Sequence, residues 1–320
     1  MKRAIAVAHP NIALSKYWGK RAGGGNVPAV PSLSITLAGL ATTTTVTFEE
    51  SLASDSFVLD GAVAVGTPLV RVTELLDRVR VASRRNARAS VVSTNDFPTA
   101  SGLASSASGF AALAVAATRA AGLDWDAERV ADLARQSSAS AARSIFGGFV
   151  ELDGETARAV APAGQIELRV LVCVTTEAPK SVSSRDGMGV TAAKSPYYAA
   201  WLETAPRIHA KLKTALLARD LESTCALAEA SALAMHASAL AAGVVYVSGA
   251  TLAALAEVHR LRAEGACAYA TMDAGPHLKC LVHARDAADV RERLARLPGV
   301  LRIIEAVAGE GARVVDEAGA

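Results

Sequence analysis

Short runs rich in β-branched residues alternate along the chain with longer stretches in which apolar residues recur at helical spacing. The β-branched runs predict strands near residues 3–8, 33–49, 88–94, 146–152, 166–175, 267–272, 278–284 and 300–308. The helical spacing predicts helices at about residues 68–82, 103–121, 125–135, 196–218, 222–240, 250–264 and 286–296. Strands and helices interleave irregularly, unlike the strict alternation of a doubly wound parallel sheet or a barrel. The pattern therefore predicts an α+β fold with two layers.

The length of the chain, 320 residues, suits two domains of ~100 to 200 residues each. Residues 219–264 read as a helical stretch inside the second half. We therefore predict a division near residue 180, with an N-terminal domain at 1–179 and a C-terminal domain at 180–320. Alanine fills about a fifth of the positions and favours helix without marking a buried face, so it blurs the helix boundaries.

Composition excludes several classes of protein. Hydrophobic residues make up 51% of the chain and charged residues 20%, which excludes a disordered chain and a coiled coil. The net charge is only +2, with no concentrated basic run, so nucleic acid is not expected as a partner. The four cysteines lie far apart without a C-x-x-C pair. They indicate reduced thiols rather than a disulfide framework or a structural metal site.

No apolar run reaches the ~20 residues that a bilayer span needs, because the longest notable one, 110–117, is closed by Arg119. The apolar part of the N-terminus is interrupted at residues 9–11 before the core of a signal peptide can form. We therefore expect a cytoplasmic protein with no membrane partner.

The segment PTASGLASSASG at 98–109 lies between a predicted strand and an alanine-rich helix. Its glycines and small hydroxyl residues leave backbone N–H groups uncovered at the helix start, where the helix dipole also favours an anion. Ser105 and Ser106 can add hydroxyl donors or hold Mg²⁺. The segment indicates a phosphate loop, although an ordinary N-terminal turn explains it equally well. No lysine follows its second glycine, so it is not a Walker loop.

Cations and an aromatic pair cluster in NIALSKYWGKR at 11–21, directly after the first predicted strand. Lys16, Lys20 and Arg21 surround Tyr17 and Trp18, and such a group suits an acidic, phosphorylated substrate. A solvated cationic turn with an aromatic anchor is the alternative.

Asp273, in MDAGPH at 272–277, stands at the end of an apolar strand and just before Gly275 and Pro276. A carboxylate at a strand end that faces a cleft is a candidate general base. An ordinary turn built by Asp, Gly and Pro is the alternative.

Two serine-rich segments each add hydroxyls and an arginine, although capping and surface charge explain them as well. Their candidates are Ser138, Ser140 and Arg143 in SSASAARSIFGG (137–148), and Ser183, Ser184 and Arg185 in SVSSRDGM (181–188). GMGVTA at 187–192 has the glycine spacing of a dinucleotide site, but it does not follow a buried strand, and we attribute the match to chance.

Five of these segments, taken in order, resemble the diphosphomevalonate decarboxylase family of the GHMP kinase superfamily. They are NIALSKYWGKR, NDFPTASGLASSASG, SASAARSIFGG, SVSSRDGM and MDAGP, and they span residues 11–277. KYWGKR and FPTASGLASSA are the specific part, because other GHMP kinases carry a different N-terminal motif. One segment departs from the family's common GSGSACR, since Ser137, Ala139 and Ala142 stand where that pattern has two glycines and a cysteine.

The resemblance implies a two-layer GHMP-kinase-like fold with the active site in a cleft between two halves. It implies a homodimer that uses ATP and Mg²⁺ to convert mevalonate 5-diphosphate into isopentenyl diphosphate, ADP, phosphate and CO₂. Phosphorylation turns the tertiary hydroxyl into a good leaving group, and its departure with loss of the carboxylate forms the alkene. Phosphomevalonate decarboxylase and mevalonate 3-kinase are alternatives, and a catalytically silent ligand-binding protein on the same fold is another.

By the same resemblance, Asp273 is the general base, and Lys16 pairs with it and stabilises the transferring phosphoryl group. Arg143 positions the substrate carboxylate with help from Ser140. The implied 5-diphosphate binders are Tyr17, Lys20, Ser138 and Arg185. The implied ATP phosphate binders are Gly102, Ser105 and Ser106, with Asn95 and Ser184 nearby.

Overall fold

The computed structural model describes residues 2–21, 23, 26–97, 105–178 and 182–316. Its strands are β1 (Lys2–Ala8), β2 (Asn11–Ser15), β3 (Ser32–Ala38), β4 (Thr42–Glu49), β5 (Ser56–Leu59), β6 (Ala62–Val63), β7 (Arg88–Asn95), β8 (Phe149–Asp153), β9 (Thr156–Ala161), β10 (Leu168–Val174), β11 (Ala268–Met272), β12 (Leu278–His283), β13 (Arg302–Ala308) and β14 (Arg313–Val315). Its α-helices are α1 (Thr67–Ser83), α2 (Ser105–Ala121), α3 (Ala127–Ser137), α4 (Ser184–Lys194), α5 (Tyr198–Leu217), α6 (Leu221–Ala241), α7 (Gly249–Ala263) and α8 (Ala287–Ala295). A 3₁₀ helix, Ala139–Ile145, follows α3.

Two sheets organise the described part of the chain. The six-stranded sheet has the order β14-β1-β4-β7-β5-β6. The eight-stranded sheet has the order β11-β12-β10-β13-β3-β8-β9, with β2 paired to β3 beside this path. Helices pack on these sheets, and the predicted α+β fold is confirmed. No helix in the described ranges is long and apolar enough to cross a membrane.

The eight-stranded sheet joins strands from both halves of the chain. Strand β13, from the second half, pairs antiparallel with β3 from the first, through Val307 opposite Ala38 and Ala308 opposite Leu37. The division near residue 180 stays a prediction, because this sheet continues across it.

The prediction of a single strand at 33–49 is wrong, because these residues form two strands that lie in different sheets. Strand β3 ends at Ala38, and Gly39 follows with φ of +84°, a conformation that L-residues with a side chain seldom adopt. The chain then enters the six-stranded sheet as β4, which pairs with β1 and β7. Both strands are rich in β-branched residues, so periodicity alone does not separate them.

Residues 11–15 form strand β2, a segment for which the sequence analysis predicted no strand. Ile12 lies opposite Ile35 of β3, and the register shifts between Ala13 and Ser15. The patterning also missed β5, β6, β9, β14 and α4. The missed strands have at most six residues, and α4 carries two glycines and lacks an apolar stripe, so their patterns are weak.

Small side chains form the core under the six-stranded sheet. Helix α2 packs on β1 and β4, and Ala111, Ala112 and Ala116 have no exposed surface. Alanine buries little area per residue, but it lets the helix axis approach the sheet closely, and larger side chains of α1 such as Leu75 and Leu76 complete this core.

Helix α6 covers both β2 and β11 of the other sheet. It begins at an N-cap, Asp220, whose side chain accepts the N–H of Ser223. Midway along α6, Ser231 Oγ accepts the backbone N–H of Lys16 at 2.9 Å. This packing holds the end of β2 beside the end of β11.

Candidate active site

Asp273 and Lys16 meet where β11 and β2 end. Asp273 directly follows β11, and its backbone oxygen accepts the N–H of Gly275 at 2.7 Å, which makes a tight turn. Lys16 directly follows β2, and its Nζ lies 2.7 Å from Asp273 Oδ1. The same ammonium donates to the backbone oxygen of Ala13 at 2.7 Å. The structure thus brings together the predicted base and its predicted lysine.

A second buried ammonium contacts the other oxygen of the same carboxylate. Lys279 lies in β12, and its Nζ donates to Asp273 Oδ2 at 3.0 Å. The side chains of Lys16 and Lys279 are each 1% exposed, whereas that of Asp273 is 27% exposed. Asp273 therefore has its two oxygens held from inside the protein while part of the carboxylate stays open to a ligand.

Charges control the protonation of this pair. Burial by itself would raise the pKa of Asp273, but the charges and hydrogen bonds of Lys16 and Lys279 together hold it well below its usual range. Burial lowers the pKa of Lys16 to about 8, against the opposing attraction of Asp273. The carboxylate is therefore ionised at neutral pH, as a general base must be.

Arg143 is a buried cation held by neutral partners. It lies in the 3₁₀ helix, and its guanidinium donates to Ser32 Oγ at 2.8 Å and to Asn11 Oδ1 at 3.2 Å. Burial lowers its pKa to about 10. Within the described ranges no carboxylate lies at ion-pair distance from this guanidinium. A buried guanidinium without an anionic partner is a natural binding site for a substrate carboxylate.

Asn11 fixes the segment that carries Arg143. Its Nδ2 donates to the backbone oxygen of Ser140 at 2.9 Å and to Ser144 Oγ at 2.8 Å. Nearby, Ser138 Oγ and Ser140 Oγ lie 3.2 Å apart, and both residues are partly exposed. The predicted serines and arginine of this segment therefore share one side of the site.

Tyr17 presents a buried hydroxyl to the site. Its Oη has no hydrogen-bond partner among the described residues. Burial raises the pKa of Tyr17 to about 12, although the charges of Arg143 and Arg185 act against that rise. A buried, unpaired hydroxyl next to cations fits an anionic ligand that accepts a hydrogen bond from it.

Three cations approach one another beside Tyr17. Burial lowers the pKa of Lys20, and the positive charges of Arg185 and Arg71 lower it further. Burial and then the charge of Arg185 likewise lower the pKa of Arg71. Lys20 Nζ donates to Asn26 Oδ1 at 2.6 Å. Mutual repulsion among these three side chains is relieved by a polyanion, so they form a candidate diphosphate site.

Helix α4 carries Arg185 to this group and packs closely on two aromatic rings. Ser183 is its N-cap and accepts the N–H of Asp186 at 3.1 Å. A Cβ at Gly187 would lie 2.2 Å from Tyr246 Oη and 3.1 Å from a ring carbon of Trp18. The first glycine of GMGVTA is therefore explained by close packing.

Three of the five predicted ATP residues lie at or near the start of α2. Ser105 and Ser106 are its first residues, and no acidic side chain stands in its first turn. Asn95 ends β7, and its Oδ1 accepts from Thr42 Oγ1, which contacts Ser108 Oγ of α2. Gly102 lies outside the described residues. Ser184 is the first residue of α4 and precedes Arg185 directly.

Three residues of this site were missed by the sequence analysis: Asn11, Arg71 and Lys279. Two of them carry a signal in the sequence, since Asn11 and Lys279 are polar residues within otherwise apolar strands. Arg71 carries none, because it is one of several arginines in α1.

Three buried cations therefore lie around Asp273: Lys16 and Lys279 contact its carboxylate, and Arg143 interacts with its charge from beyond ion-pair distance. This excess of positive charge suits an anionic substrate, and the ionised Asp273 can accept a proton from a hydroxyl held against it. The arrangement fits phosphoryl transfer to an alcohol that also bears a carboxylate.

Two family models match nearly the whole chain. The model described as "Diphosphomevalonate decarboxylase-like N-terminal domain" matches residues 8–161. The model described as "Mevalonate 5-diphosphate decarboxylase C-terminal domain" matches residues 170–310.

Curated and solved relatives agree with these models. The diphosphomevalonate decarboxylase of Schizosaccharomyces pombe is 34% identical over 295 residues, which is 83% of this chain and 75% of that protein. The mevalonate diphosphate decarboxylase of Staphylococcus aureus superposes with a TM-score of 0.92 at 34% identity and covers 98% of both chains. A structure described as MDDEF in complex with MVAPP, AMPPCP and magnesium superposes with a TM-score of 0.90 at 38% identity, covering 98% of this chain and 99% of that one.

Proposed function

The chain belongs to the diphosphomevalonate decarboxylase family, and on this basis we propose that it catalyses the ATP-dependent decarboxylation of mevalonate 5-diphosphate. The products are isopentenyl diphosphate, ADP, phosphate and CO₂. The observation that carries the proposal is the ionised, partly exposed Asp273 between the buried ammoniums of Lys16 and Lys279.

In this reaction Asp273 accepts the proton of the substrate's tertiary hydroxyl as that oxygen becomes phosphorylated. Lys16, which uses one N–H on Ala13 and one on Asp273, retains a third for the phosphoryl oxygens. The ammonium thus sits where negative charge develops between base and phosphoryl group.

Arg143 provides the site for the substrate carboxylate. Its guanidinium is oriented by Asn11 and Ser32, and Ser140 lies on the same segment. When the carboxylate is lost as CO₂, the electron pair of the breaking C–C bond forms the alkene as the phosphorylated oxygen departs. Arg143 keeps the carboxylate oriented for this step.

The 5-diphosphate lies, in this proposal, among Tyr17, Lys20, Ser138 and Arg185. Arg71 joins them, because its guanidinium faces the same cations and donates to the backbone oxygen of Ser137 at 2.8 Å. The unpaired hydroxyl of Tyr17 supports this location.

The start of α2 fits ATP and Mg²⁺. The first N–H groups of a helix have no partner within the helix, and the first turn of α2 also carries the hydroxyls of Ser105 and Ser106 and no acidic residue that would oppose a phosphate. Hydroxyl and phosphate oxygens are ligands that Mg²⁺ prefers. ATP supplies the γ-phosphoryl group, and Mg²⁺ neutralises charge on the phosphates. Gly102, Asn95 and Ser184 stay predicted members of the nucleotide site.

A side-by-side assay of ADP and CO₂ release tests the function. The substrates are mevalonate, its 5-phosphate and its 5-diphosphate, each with ATP and Mg²⁺. We expect equal release of ADP and CO₂ with the 5-diphosphate and a much smaller kcat/KM with the other two. Preference for the monophosphate would indicate a phosphomevalonate decarboxylase, and ADP without CO₂ from mevalonate would indicate a 3-kinase. Absence of ADP release with all three would leave a ligand-binding protein.

The homodimer and the cytoplasmic location are further parts of the proposal and rest on the family resemblance and on the sequence. Analytical ultracentrifugation and cell fractionation test them directly.

A further inference from the structure

Lys279 is a buried lysine to which the sequence motifs assign no role. It lies in β12 between β10 and β11, opposite Val172 of one and Thr271 of the other. Its side chain is 1% exposed, and the flanking residues Leu278 and Cys280 are fully buried. A buried lysine on a strand inside a sheet loses its hydration, so a neutral residue would be less costly there unless the charge serves a function.

The charge of Lys279 is directed at one atom. Among the described residues its Nζ donates only to Asp273 Oδ2, at 3.0 Å, while Lys16 takes Oδ1. A carboxylate whose two oxygens each accept a hydrogen bond from a buried ammonium is restrained from rotating about its Cβ–Cγ bond. The lone pairs left for the substrate hydroxyl therefore keep one direction.

We propose that Lys279 is a positioning residue for the proposed reaction: it holds Asp273 Oδ2, keeping the base ionised and oriented while Lys16 serves the transferring phosphoryl group. This proposal rests on the proposed function and assigns a different role to each of the two lysines. Lys279 does not touch the reacting atoms and acts through Asp273.

The charged and titratable groups that face Asp273 come from four elements. They are Lys16 after β2, Lys279 in β12, Arg143 in the 3₁₀ helix and His236 in α6. Burial and the charge of Lys16 lower the pKa of His236 to about 4, so this ring is neutral above pH 5. Only the two lysines and the arginine therefore oppose protonation of Asp273 in the working range.

Removing Lys279 then has a defined effect on the pH profile. The loss of one positive charge raises the pKa of Asp273, but that pKa starts well below its usual range, so the carboxylate stays ionised at the pH of the assay. The same loss raises the pKa of Lys16, because Lys279 helps to lower that pKa. The alkaline limb of the profile, which Lys16 sets at about pH 8, therefore moves to higher pH.

The test compares Lys279→Met, which removes the charge at similar length, with Lys279→Arg, which keeps it. In Lys279→Met we expect kcat to fall by ~10- to 100-fold, KM for the substrate to change by less than about threefold, and the alkaline limb to move to higher pH. Lys279→Arg should return the limb towards its original position. An alkaline limb that stays in place, or an equal rise of KM in both variants, would overturn the proposal.

A double-mutant cycle tests whether Lys279 acts through Asp273. In an Asp273→Asn background, Lys279→Met should produce little further loss of kcat, because the group that Lys279 positions is already gone. Independent, multiplying losses would refute the coupling. The double variant has no carboxylate at position 273 that would lose its partner, so it remains usable even if Lys279→Met alone does not fold. The ratio of its kcat to that of Asp273→Asn then tests the coupling.

Assays of the wild type and of Lys279→Met distinguish a failure of the proposed function from a failure of the proposed role of Lys279. A wild type that releases neither ADP nor CO₂ refutes the proposed function itself. An active wild type whose Lys279→Met variant keeps its kcat and pH profile refutes only the role of Lys279. Lys194→Met, a charge removal at the exposed end of α4, is the matched control and should leave both unchanged.

Discussion

Lys16 Nζ and Asp273 Oδ1 lie 2.7 Å apart although the two residues are separated by 257 positions in the chain. Their meeting depends on α6, which covers the strands that precede each of them. Lys16 is fully enclosed, whereas Asp273 keeps an open side. The pair therefore combines a fixed charge with an accessible base.

Replacing Asp273 with Asn keeps the shape of the side chain and removes its basicity. We expect kcat to fall by ~10² to 10⁴, with little change in substrate affinity, because proton acceptance is lost while the binding cations remain. Steady-state ADP release measures both parameters. Asp153→Asn, at the exposed end of β8 next to a turn, is the control and should leave both parameters unchanged, since Asn suits this position as well as Asp. A variant of Asp273 with more than about a tenth of wild-type turnover would refute its role as base.

Lys16 predicts an alkaline limit for activity. Burial lowers its pKa to about 8, so the ammonium that supports the transferring phosphoryl group loses its proton as the pH rises through that value. We expect kcat to decline above about pH 8. In Lys16→Arg the charge persists, and the remaining activity, measured with excess enzyme, should decline only at higher pH. The same alkaline limb in both proteins would mean that another group sets it.

We expect Arg185 to bind the terminal phosphate of the 5-diphosphate substrate. We expect Arg185→Ala to raise KM for the 5-diphosphate by roughly 10- to 100-fold and to change KM for the 5-phosphate less, since one phosphate leaves part of the cationic group unused. Lys194→Ala lies in the last turn of the same helix and controls for a general change of charge. Equal losses for both substrates would show that Arg185 does not select the diphosphate.

Gly187 should be required for the position of α4. A Cβ there would lie 2.2 Å from Tyr246 Oη, which donates to the backbone oxygen of Ser183 at 3.1 Å and is not free to move without losing that bond. We expect Gly187→Ala to shift α4 with Arg185 and to raise KM for the diphosphate.

Gly189 provides a control within the same helix. No atom lies within 4 Å of the Cβ that Gly189→Ala would add, so this change should keep KM and stabilise the fold by about 0.5 to 1 kcal/mol through helix propensity. Tyr246→Phe in the Gly187→Ala background removes the clashing oxygen and should recover part of the affinity. An unchanged KM in Gly187→Ala would show that α4 accommodates a methyl group at this position without moving Arg185.

Glu151 should govern stability in acid. It is 3% exposed, and its carboxylate accepts from His209 Nε2 at 2.8 Å and from Lys213 Nζ at 2.9 Å. Burial alone would raise its pKa, but the hydrogen bonds of Lys213, Arg158 and His209 lower it to about 2. Because the folded pKa is below the unfolded one, the carboxylate stabilises the fold fully above pH ~5 and progressively less towards pH 2.

Urea unfolding between pH 7 and pH 2.5 measures this effect. The free energy of unfolding of Glu151→Gln should be lower than that of the wild type by roughly 3 kcal/mol at pH 7, and the gap should narrow below pH ~4.5. Glu203→Gln, an exposed change in α5, should show no such gap. A gap that is constant with pH would mean that Glu151 contributes through packing and not through its charge.

The motifs led to the chemistry because short segments carry it. KYWGKR, the serine-rich segment and MDAGP each keep their candidate residues within a few positions, so the family resemblance that these motifs carry was enough to propose Lys16, Arg143 and Asp273 as site residues. Long helices were also predictable, since their apolar residues recur at helical spacing over many positions. The split between β3 and β4 was not, because β-branched residues run through both strands and only Gly39 lies between their sheets.

The sequence by itself determined the α+β class and, through the resemblance of its motifs, the family, since both depend on residue type and local spacing. It also led to the proposal that Asp273 is the base. Only the tertiary structure decided which distant cations share a carboxylate. Lys279 is six positions from Asp273 and Lys16 is 257 positions away, yet both reach its oxygens, because β12 and β2 are brought to the same place by sheet pairing and by α6. Arg71 likewise joins Lys20 and Arg185 only through packing. Such convergence follows from the burial of whole elements, a long-range property that local spacing does not encode.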